Sequence, residues 1–341
     1  MKKIKIAQIG TGHDHAPSAI RTLKLQSDIY DVVGYAVVPE DSKNLDRFSY
    51  NGNKSAYDGL KRFSVEEILN YPDLDAVCIE TEDRALTKYA LMAANRGLHI
   101  HMDKPGGIDD GAFDKLIDTA KAKNLVFHLG YMYRYNPAVM KLFKDIDAGK
   151  YGEIYAVEAQ MSCLHEPDKR AWLGNYPGGM LYFLGCHLVD LVYRICGMPN
   201  EVIPLSTSIK TDGVTAQDFG MAVFKYPNGV SFVKSTAVEI GGYERRQLVV
   251  CGTKGTAEIK PLEWASNEDN GTIQPQTTFV KEAFSYDWGE KNEPHSTPTY
   301  GRYDAMLRAF ADYINKNSKN PYDYEYERQL HKLILKACGG L

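Results

Sequence analysis

The stretch Ile4-Lys5-Ile6-Ala7-Gln8-Ile9-Gly10-Thr11-Gly12 determines the fold of the N-terminal part of this 341-residue chain. Its first six residues are largely apolar and rich in isoleucine, which is typical of a short strand buried in a parallel sheet. The run ends abruptly at two glycines. Pro17 then stands in the first turn of an expected helix, with Asp14 as the predicted N-cap. The pattern predicts a strand, a tight glycine turn and a helix.

The same alternation of strand and helix signals continues to about residue 129. Ser64-Val65-Glu66-Glu67, for example, is a capping box before a short helix. Alternation of this kind predicts βαβ units and a doubly wound parallel (Rossmann) sheet, which makes the N-terminal part an α/β domain. The other strands are predicted over 31–38, 76–79, 98–102 and 125–129, and the other helices over 85–95 and 109–123.

Beyond about residue 151 the pattern changes to longer strand-like stretches separated by turn signals. Tyr226-Pro227-Asn228-Gly229 and Gly252-Thr253-Lys254-Gly255 are typical hairpin connections, so the second sheet is expected to be mainly antiparallel and open. We therefore predict two domains, an α/β domain over 1–124 and an α+β domain over 125–341. The strands of the second are predicted over 154–163, 218–226, 230–240, 247–252 and 256–259, and its helices over 178–196, 303–316 and 325–338, the last two packing back near the first domain.

The composition excludes several classes of protein. The chain has 40 Lys and Arg against 44 Asp and Glu, a formal charge of −4, and no run of five like charges, so nucleic acid is not an expected partner. No stretch approaches the ~18 consecutive apolar residues of a membrane helix, so no membrane association is expected. Six scattered cysteines without a C-x-x-C pair, and a basic N-terminus without a continuous apolar run, indicate the cytoplasm.

Gly10 and Gly12 are the first candidate site residues. Glycine allows the tight turn after the strand and lets a pyrophosphate approach the helix N-terminus, where N–H groups favour anions. His15 stands where the usual fingerprint has a third Gly or Ala, and a tight turn without a ligand is the alternative explanation. His13, Asp14 and His15 are metal-ligating residue types, but residues two apart on a turn seldom converge on one ion without a third and fourth ligand, and none is spaced nearby. No metal site is predicted.

The end of the second strand is expected to carry an acid for the ribose hydroxyls of a dinucleotide. Val38 stands at that position, and Glu40 and Asp41 follow slightly late. No basic residue that would hold a 2′-phosphate is adjacent. The stretch favours NAD over NADP.

Asp103-Lys104-Pro105 follows the predicted strand 98–102, at the carboxyl edge of the sheet where ligands bind. A lysine held there would hydrogen-bond a substrate hydroxyl, and partial desolvation would lower the pKa of its ammonium group toward a value suited to proton transfer. A surface Lys-Pro turn is the alternative.

The stretch from Gly178 to Asp190 is the most informative in the second half. Two glycines begin a helix at close backbone approach, and His187 and Asp190 lie three apart on one helix face. That spacing allows a carboxylate to orient an imidazole. A buried core histidine is the alternative.

With these motifs in order, nearly the whole chain resembles the glucose–fructose oxidoreductase, inositol dehydrogenase and rhizopine-catabolism (Gfo/Idh/MocA) family. Members of this family carry an N-terminal dinucleotide fold, a Glu-Lys-Pro motif after the fifth strand, an Arg-Phe-Asn-Pro-like segment, and a glycine-led helix with His-x-x-Asp. The matching stretches are Gly10-Thr11-Gly12, Asp103-Lys104-Pro105, Arg134-Tyr135-Asn136-Pro137 and Gly178 through Asp190.

The resemblance implies hydride transfer between a nicotinamide cofactor, NAD with NADP as the alternative, and a carbinol carbon of a sugar, cyclitol or glycoside. It implies that Lys104 polarises the substrate hydroxyl and that His187 accepts its proton, in a cleft between the domains. A homodimer or homotetramer formed by the second domain is also implied. The residues implied at the cofactor are Gly10, Gly12, His13, Asp14, Thr81, Asp103, Lys104, Tyr135, Asn136 and Trp172, and those at the substrate are Tyr133, Tyr176, Tyr182, Phe183 and Asp190.

Three positions depart from the family pattern. Asp103 replaces the Glu of Glu-Lys-Pro, and Glu82 replaces a frequent Pro after Thr81. Phe183 stands where many dehydrogenases of the family have an Asp, and a phenyl ring cannot accept a hydrogen bond from a sugar hydroxyl, although it suits an apolar or pyranose-ring surface. Two other functions therefore stay open. One is a glycoside-cleaving enzyme that oxidises its substrate transiently with tightly held NAD, and the other is a dinucleotide-binding regulator without catalysis.

Overall fold

The computed structural model describes residues 3–43, 53–285 and 291–341. The chain divides into two compact units, and neither is a single continuous stretch of sequence. Unit 1 consists of Met1–Met132, Gly271–Gln274 and Gly301–His331, and unit 2 of Tyr133–Asn270, Pro275–Tyr300 and Lys332–Leu341.

Strands and helices alternate in the first part of the chain, and strands predominate after it. None of the helices in the described ranges is long and apolar enough to cross a membrane. The strands are β1 (Ile4–Ile9), β2 (Tyr30–Ala36), β3 (Lys61–Phe63), β4 (Ala76–Ile79), β5 (His99–Met102), β6 (Phe127–Leu129), β7 (Ile154–Gln160), β8 (Glu201–Pro204), β9 (Phe219–Tyr226), β10 (Gly229–Thr236), β11 (Gln247–Gly252), β12 (Gly255–Ile259), β13 (Trp264–Ala265), β14 (Pro275–Thr277), β15 (Phe279–Ala283), β16 (His295–Ser296) and β17 (Tyr300–Gly301). The helices are α1 (Ala16–Leu25), α2 (Val65–Leu69), α3 (Leu86–Arg96), α4 (Asp110–Ala122), α5 (Pro137–Asp147), α6 (Pro167–Trp172), α7 (Cys186–Cys196), α8 (Asp304–Ile314) and α9 (Tyr324–Ala337).

Unit 1 is built on a six-stranded parallel sheet with the order β3-β2-β1-β4-β5-β6. The predicted doubly wound parallel sheet is therefore confirmed. The chain proceeds to one side of β1 with β2 and β3, and to the other side with β4, β5 and β6. The carboxyl ends of β1 and β4 flank this switch point, which is where open sheets of this kind bind ligands.

Local sequence signals set most helix ends in unit 1. Ser64 and Glu67 form the predicted capping box, each side chain accepting the backbone N–H of the other at 3.2 and 2.7 Å. Gly97 ends α3 in the left-handed conformation, with φ 81°. The prediction that Asp14 caps α1 is wrong. His15 is the N-cap, and its backbone N–H donates instead to His13 Nδ1 at 3.2 Å.

Helix α8 belongs to the core of unit 1 although it lies about 170 residues after β6. Leu307 and Phe310 are fully buried in a cluster with Ile4 and Ile6 of β1. Tyr30 donates a hydrogen bond to the Leu307 carbonyl at 2.6 Å. Burial of four large apolar side chains, at roughly 1.5–3 kcal/mol each, is sufficient to hold this helix on the sheet.

Unit 2 contains an eight-stranded sheet with the order β16-β15-β12-β11-β7-β10-β9-β8. Among the strand pairs of this sheet in the described residues, only β7–β10 is parallel, so the mainly antiparallel sheet is confirmed. Both predicted hairpins are present, with Tyr226 paired to Gly229 and Gly252 paired to Gly255. Gly229 is required by close approach, because a Cβ there would lie 2.0 Å from the Tyr155 carbonyl oxygen.

The helix predicted from Gly178 begins later than expected. Gly178 and Gly179 have φ of 67° and 49°, a left-handed conformation that a right-handed helix excludes. The predicted close approach is present, since a Cβ on Gly179 would lie 1.9 Å from the Gln217 carbonyl oxygen. One π-helical turn over Leu181–Gly185 then precedes α7. Turns of this type are frequent at functional sites, and this one places His187 in the first turn of α7.

Candidate functional site

The glycine turn after β1 lies against the segment that follows β4. A Cβ on Gly10 would lie 2.5 Å from the Thr81 backbone nitrogen, and Gly10 has φ 94°, so no other residue fits. The His13 N–H donates to the Glu80 carbonyl at 3.1 Å. Three predicted cofactor residues of unit 1 are therefore neighbours at the carboxyl edge of the sheet. They are Gly10, His13 and Thr81.

Asp41 is a central residue of this turn, although the sequence indicated it only as an acid placed slightly late. Its carboxylate accepts hydrogen bonds from the backbone N–H groups of Thr11 (2.8 Å), Val38 (3.2 Å) and Glu82 (3.2 Å). Burial raises the pKa of Asp41 to about 6, although these hydrogen bonds oppose the shift. The 3₁₀ turn Pro39–Lys43 brings the carboxylate back to the glycines.

Substitution of Gly12 by alanine is expected to disrupt this turn. The new Cβ would lie 2.4 Å from Asp41 Oδ1 and 3.1 Å from the Glu82 nitrogen, so the turn must shift. We expect dinucleotide affinity to fall at least tenfold, since the backbone can no longer approach a pyrophosphate. Gly111→Ala is the matched control, because a Cβ there meets only Asp109 Oδ1 at 3.5 Å. Equal affinities of the two variants, measured by calorimetric titration with NAD, would contradict the role of this turn.

A buried cluster of ionisable groups lies directly below the turn. Asp103 Oδ2 is 3.0 Å from His13 Nδ1 and 2.9 Å from His15 Nδ1. Glu80 Oε2 is 3.8 Å from His13 Nδ1, and Asp83 Oδ1 is 3.6 Å from His13 Nε2. The structure therefore brings two predicted cofactor residues, His13 and Asp103, into direct contact.

The charges of this cluster depend on one another. Burial opposes the charged form of His13, but Asp103 and Asp83 outweigh it and raise the pKa of His13 well above its usual value. Burial alone would raise the pKa of Asp103, but His13 and His15 hold it well below the usual range. Burial, and then the charge of Asp103, raise the pKa of Glu80 well above its ordinary value. The site therefore favours a positive charge between these carboxylates.

Lys104 is buried, with 2% of its surface exposed, at the carboxyl end of β5. The alternative of a surface Lys-Pro turn is therefore wrong. The segment after it is held by two hydrogen bonds, since Thr87 donates to the Gly106 carbonyl and His331 Nε2 lies 2.9 Å from the Gly107 carbonyl oxygen. Lys104 is thus placed on an anchored loop.

The buried His331 makes the stability of unit 1 depend on pH. Its ring stacks on Phe113 with a centroid distance of 4.1 Å, and burial lowers its pKa below the ordinary 6.5. As pH falls, His331 therefore binds a proton in the unfolded chain before it does so in the folded chain. The stabilisation from the buried neutral imidazole is complete above about pH 6.5 and is lost as pH falls below it. Between pH 7.5 and 5.5, we expect the melting temperature of the wild type to fall more than that of His331→Gln. Parallel pH profiles would contradict this role.

Trp172, which was predicted at the cofactor, forms an aromatic cluster in unit 2 with three residues that were predicted at the substrate. Trp172 makes edge-to-face contacts with Tyr176 and Phe183, at centroid distances of 5.0 and 5.4 Å. Tyr176 stacks on Tyr182 at 5.2 Å. Lys169, which the sequence analysis missed, places its Nζ over the rings of Trp172 (4.2 Å) and Phe183 (4.4 Å). The sequence indicated the contact with Trp172 only through a spacing of three residues. It gave no sign of the contact with Phe183, which is distant along the chain.

His187 and Asp190 are both buried, at 1% exposure each. The His187 ring makes an edge-to-face contact with Tyr133 at 4.9 Å. Asp190 accepts three hydrogen bonds from Arg134, two from Nε at 3.1 and 2.9 Å and one from Nη2 at 2.8 Å. The Arg-Tyr-Asn-Pro segment and the helix α7 are therefore joined by a buried ion pair.

Asn136 lies at a junction of unit 2. Its Oδ1 caps α5 by accepting the Ala138 N–H at 2.9 Å. Its Nδ2 donates to the Leu262 carbonyl, Thr278 Oγ1 and Tyr300 Oη at 2.8–3.0 Å. The side chain of Asn136 thus holds together three separate segments of this unit, and the adjoining Tyr135 is buried.

Comparison with known proteins gives matches along most of the chain. The family model described as "Oxidoreductase family, NAD-binding Rossmann fold" matches residues 4–131, and the "GFO/IDH/MocA C-terminal domain" matches residues 139–258. Inositol 2-dehydrogenase 4 of Saccharopolyspora erythraea is 24% identical over 326 residues, 91% of this chain and 85% of that protein.

Two solved structures share the fold over nearly their whole length. The aldose–aldose oxidoreductase from Caulobacter crescentus, complexed with glycerol, has a TM-score of 0.78 at 17% identity and covers 99% of this chain and 98% of its own. Levoglucosan dehydrogenase, in complex with NADH and levoglucosan, has a TM-score of 0.76 at 18% identity with the same coverage. Both describe the fold of this chain.

Proposed function

The chain belongs to the GFO/IDH/MocA family of NAD-binding oxidoreductases, and we propose that it is a dehydrogenase of a sugar, cyclitol or glycoside. The observation that carries this proposal is the buried Lys104 at the carboxyl end of β5. Burial of a lysine is costly unless its charge is used, and the carboxyl edge of a doubly wound sheet is where ligands bind.

The glycine turn supports binding of a dinucleotide. Side chains at Gly10 and Gly12 would collide with Thr81 and Asp41, so this tight turn between β1 and α1 requires glycine at both positions, as a dinucleotide-binding turn does. NAD is the proposed cofactor because the family model that matches this part of the chain is described as NAD-binding. A cleft of about 430 Å³ lined by Glu40, Glu82 and Lys88 adjoins Asp41 and is the proposed place of the adenosine half.

The chemistry requires removal of a proton and a hydride from one carbinol group. When bound, the nicotinamide supplies the hydride acceptor. Lys104 would donate a hydrogen bond to the substrate hydroxyl oxygen and stabilise negative charge as it develops there. His187 would accept the hydroxyl proton on an imidazole nitrogen, so that the C–OH carbon becomes a carbonyl.

The substrate class is proposed from the aromatic cluster together with the names of the relatives. Trp172 and Phe183 contact each other edge to face, and Lys169 Nζ lies over both rings. We take this combination of aromatic rings and a hydrogen-bond donor as suited to a sugar or cyclitol ring and its hydroxyl groups. The relatives named as acting on inositol, aldoses and levoglucosan support ring-shaped polyols and anhydrosugars as substrates.

A substrate panel tests the proposal. Purified protein is mixed with NAD or NADP and with inositols, aldoses, anhydrosugars and alkyl glycosides, and reduced nicotinamide is followed by absorbance. We expect release of reduced NAD with at least one ring polyol. Glycoside cleavage without release of reduced cofactor would favour the transient-oxidation enzyme instead. Failure to bind either dinucleotide and to reduce either one would contradict the proposal.

A cytoplasmic location and a homodimer or homotetramer are part of the same proposal. The family resemblance supports self-association through the sheet of unit 2. Analytical ultracentrifugation of the full chain would test it, and a monomer at micromolar concentration would contradict it.

A further inference from the structure

Three side chains from two distant stretches converge below the glycine turn. His13 and His15 come from the turn after β1, and Asp103 comes from the end of β5, 88 residues after His15. One ligand atom of each residue lies within 4.8 Å of the other two. Both imidazoles direct Nδ1 at the same carboxylate oxygen, Asp103 Oδ2.

We propose that His13, His15 and Asp103 bind one divalent transition-metal ion, with Zn²⁺ as the reference ion. Two imidazole nitrogens and one carboxylate oxygen form a common ligand set for such ions in proteins. Tetrahedral zinc with bonds of about 2.0–2.1 Å holds its ligand atoms about 3.4 Å apart. The present separations of 2.9 and 3.0 Å need to widen by only about 0.4 Å to admit the ion.

A further carboxyl group lies beside these three ligands. Glu80 is completely buried, and within the described part of the chain its Oε2 has no hydrogen-bond partner. This oxygen lies 3.8 Å from His13 Nδ1, whereas the other carboxyl oxygen accepts the Cys78 thiol at 3.4 Å. A buried carboxyl oxygen without a donor is costly, and a cation nearby would reduce that cost. The fourth position on the ion is left to water.

The charge around His13 also favours a dication. Glu80, Asp83 and Asp103 each have an oxygen within 4 Å of a nitrogen of this ring. His13 Nδ1 lies 3.0 Å from Asp103 Oδ2 and 3.2 Å from the backbone nitrogen of His15. Binding of the ion at Nδ1 requires the His15 N–H to turn away from this nitrogen.

Protons are the competing occupant of this position. A proton on His13 would lie between Asp103 and Asp83, which have oxygens 3.0 and 3.6 Å from the two ring nitrogens. A metal ion brings two positive charges while both imidazoles stay neutral. Asp83 Oδ1 lies 3.6 Å from the other ring nitrogen of His13. A carboxylate in this position commonly orients a metal-bound histidine.

The ion would link the glycine turn to Asp103, the residue before Lys104. This structural role does not depend on which reaction the protein catalyses. Sequence spacing does not indicate this site, because Asp103 is far from His13 and His15 along the chain. The third ligand is supplied by the neighbouring strand end in the sheet.

The test uses untagged full-length protein that has been treated with a chelator and then titrated with ZnCl₂ in a calorimeter. We expect one Zn²⁺ per chain, and affinity about 100-fold or more weaker in His15→Gln and in Asp103→Asn, since even indirect partners of a metal contribute 10–100-fold. His295→Gln, which removes an exposed imidazole elsewhere, is expected to bind like the wild type. Circular dichroism establishes that each variant is folded.

X-ray absorption on the zinc-loaded wild type gives a readout that needs no variant. Nitrogen or oxygen ligands at about 2.0–2.1 Å, with outer-shell scattering from two imidazoles, are expected. Absence of stoichiometric zinc, equal affinity in the wild type and both cluster variants, or a spectrum without two imidazoles would each overturn the proposal. In those cases protons occupy the site. None of these readouts depends on turnover, so the dehydrogenase proposal stands or falls separately.

Discussion

Lys104→Ala is expected to lower kcat/KM for the carbinol substrate by about 10²–10⁴-fold while NAD affinity stays close to that of the wild type. The side chain is 2% exposed at the carboxyl end of β5, and in the proposed reaction it donates a hydrogen bond to the oxygen where negative charge develops. Its removal leaves the glycine turn unchanged. The loss is therefore expected in the chemical step rather than in cofactor binding.

Lys115→Ala is the matched control, because Lys115 is an exposed lysine on α4 of the same unit. Steady-state kinetics and calorimetric titration with NAD on both variants separate chemistry from binding. Wild-type turnover in Lys104→Ala would remove Lys104 from the mechanism. Loss of NAD binding together with turnover would assign it to cofactor binding instead.

Asp190→Ala is expected to give the largest loss of stability, roughly 3–5 kcal/mol. Arg134 and Asp190 are a buried ion pair joined by three hydrogen bonds, and removal of the carboxylate leaves the guanidinium charge buried without its partner. Unfolding by urea, followed by circular dichroism, measures this loss as a shift of the midpoint. The melting temperature is expected to fall on the order of 10 °C.

Asp147→Ala provides the comparison for an exposed pair. Asp147 accepts a hydrogen bond from Arg194 of α7 at 2.7 Å, and both side chains are partly exposed. Such pairs contribute about 0–1 kcal/mol, so this variant is expected to unfold nearly like the wild type. If Asp190→Ala lost no more stability than Asp147→Ala, the buried pair would not be the support that we assign to it.

Local patterns were sufficient to predict the fold. The run from Ile4 to Gly12, the capping box at Ser64 and the hairpin at Tyr226-Pro227-Asn228-Gly229 all act through neighbouring residues, and the structure confirms each of them. The start of α1 was missed because the Ala16 N–H, which Asp14 would cap, donates to the His13 carbonyl, and the proline after it has no N–H. A backbone acceptor that competes for such a group cannot be identified from propensity alone.

Contacts between distant residues explain most of what the sequence could not show. Asp41 reaches the glycine turn because a 3₁₀ turn follows β2. Counting residues from the end of the strand placed Asp41 too far along the chain for an acid of this site. Arg134 pairs with Asp190 across 56 residues, and His15 meets Asp103 across 88. Each partner was visible in its own motif. Their pairing depends on strand order and helix packing, which no spacing rule contains.

Deuterium transfer tests the central claim most directly. The first ring polyol that the panel identifies is labelled with deuterium on the carbinol carbon and converted in the presence of NAD, and the reduced cofactor is analysed by mass spectrometry. We expect one deuterium per molecule of reduced NAD, together with a ketone or lactone product. Oxidised product with no deuterium in the cofactor would contradict hydride transfer to nicotinamide, and with it the function proposed for this protein.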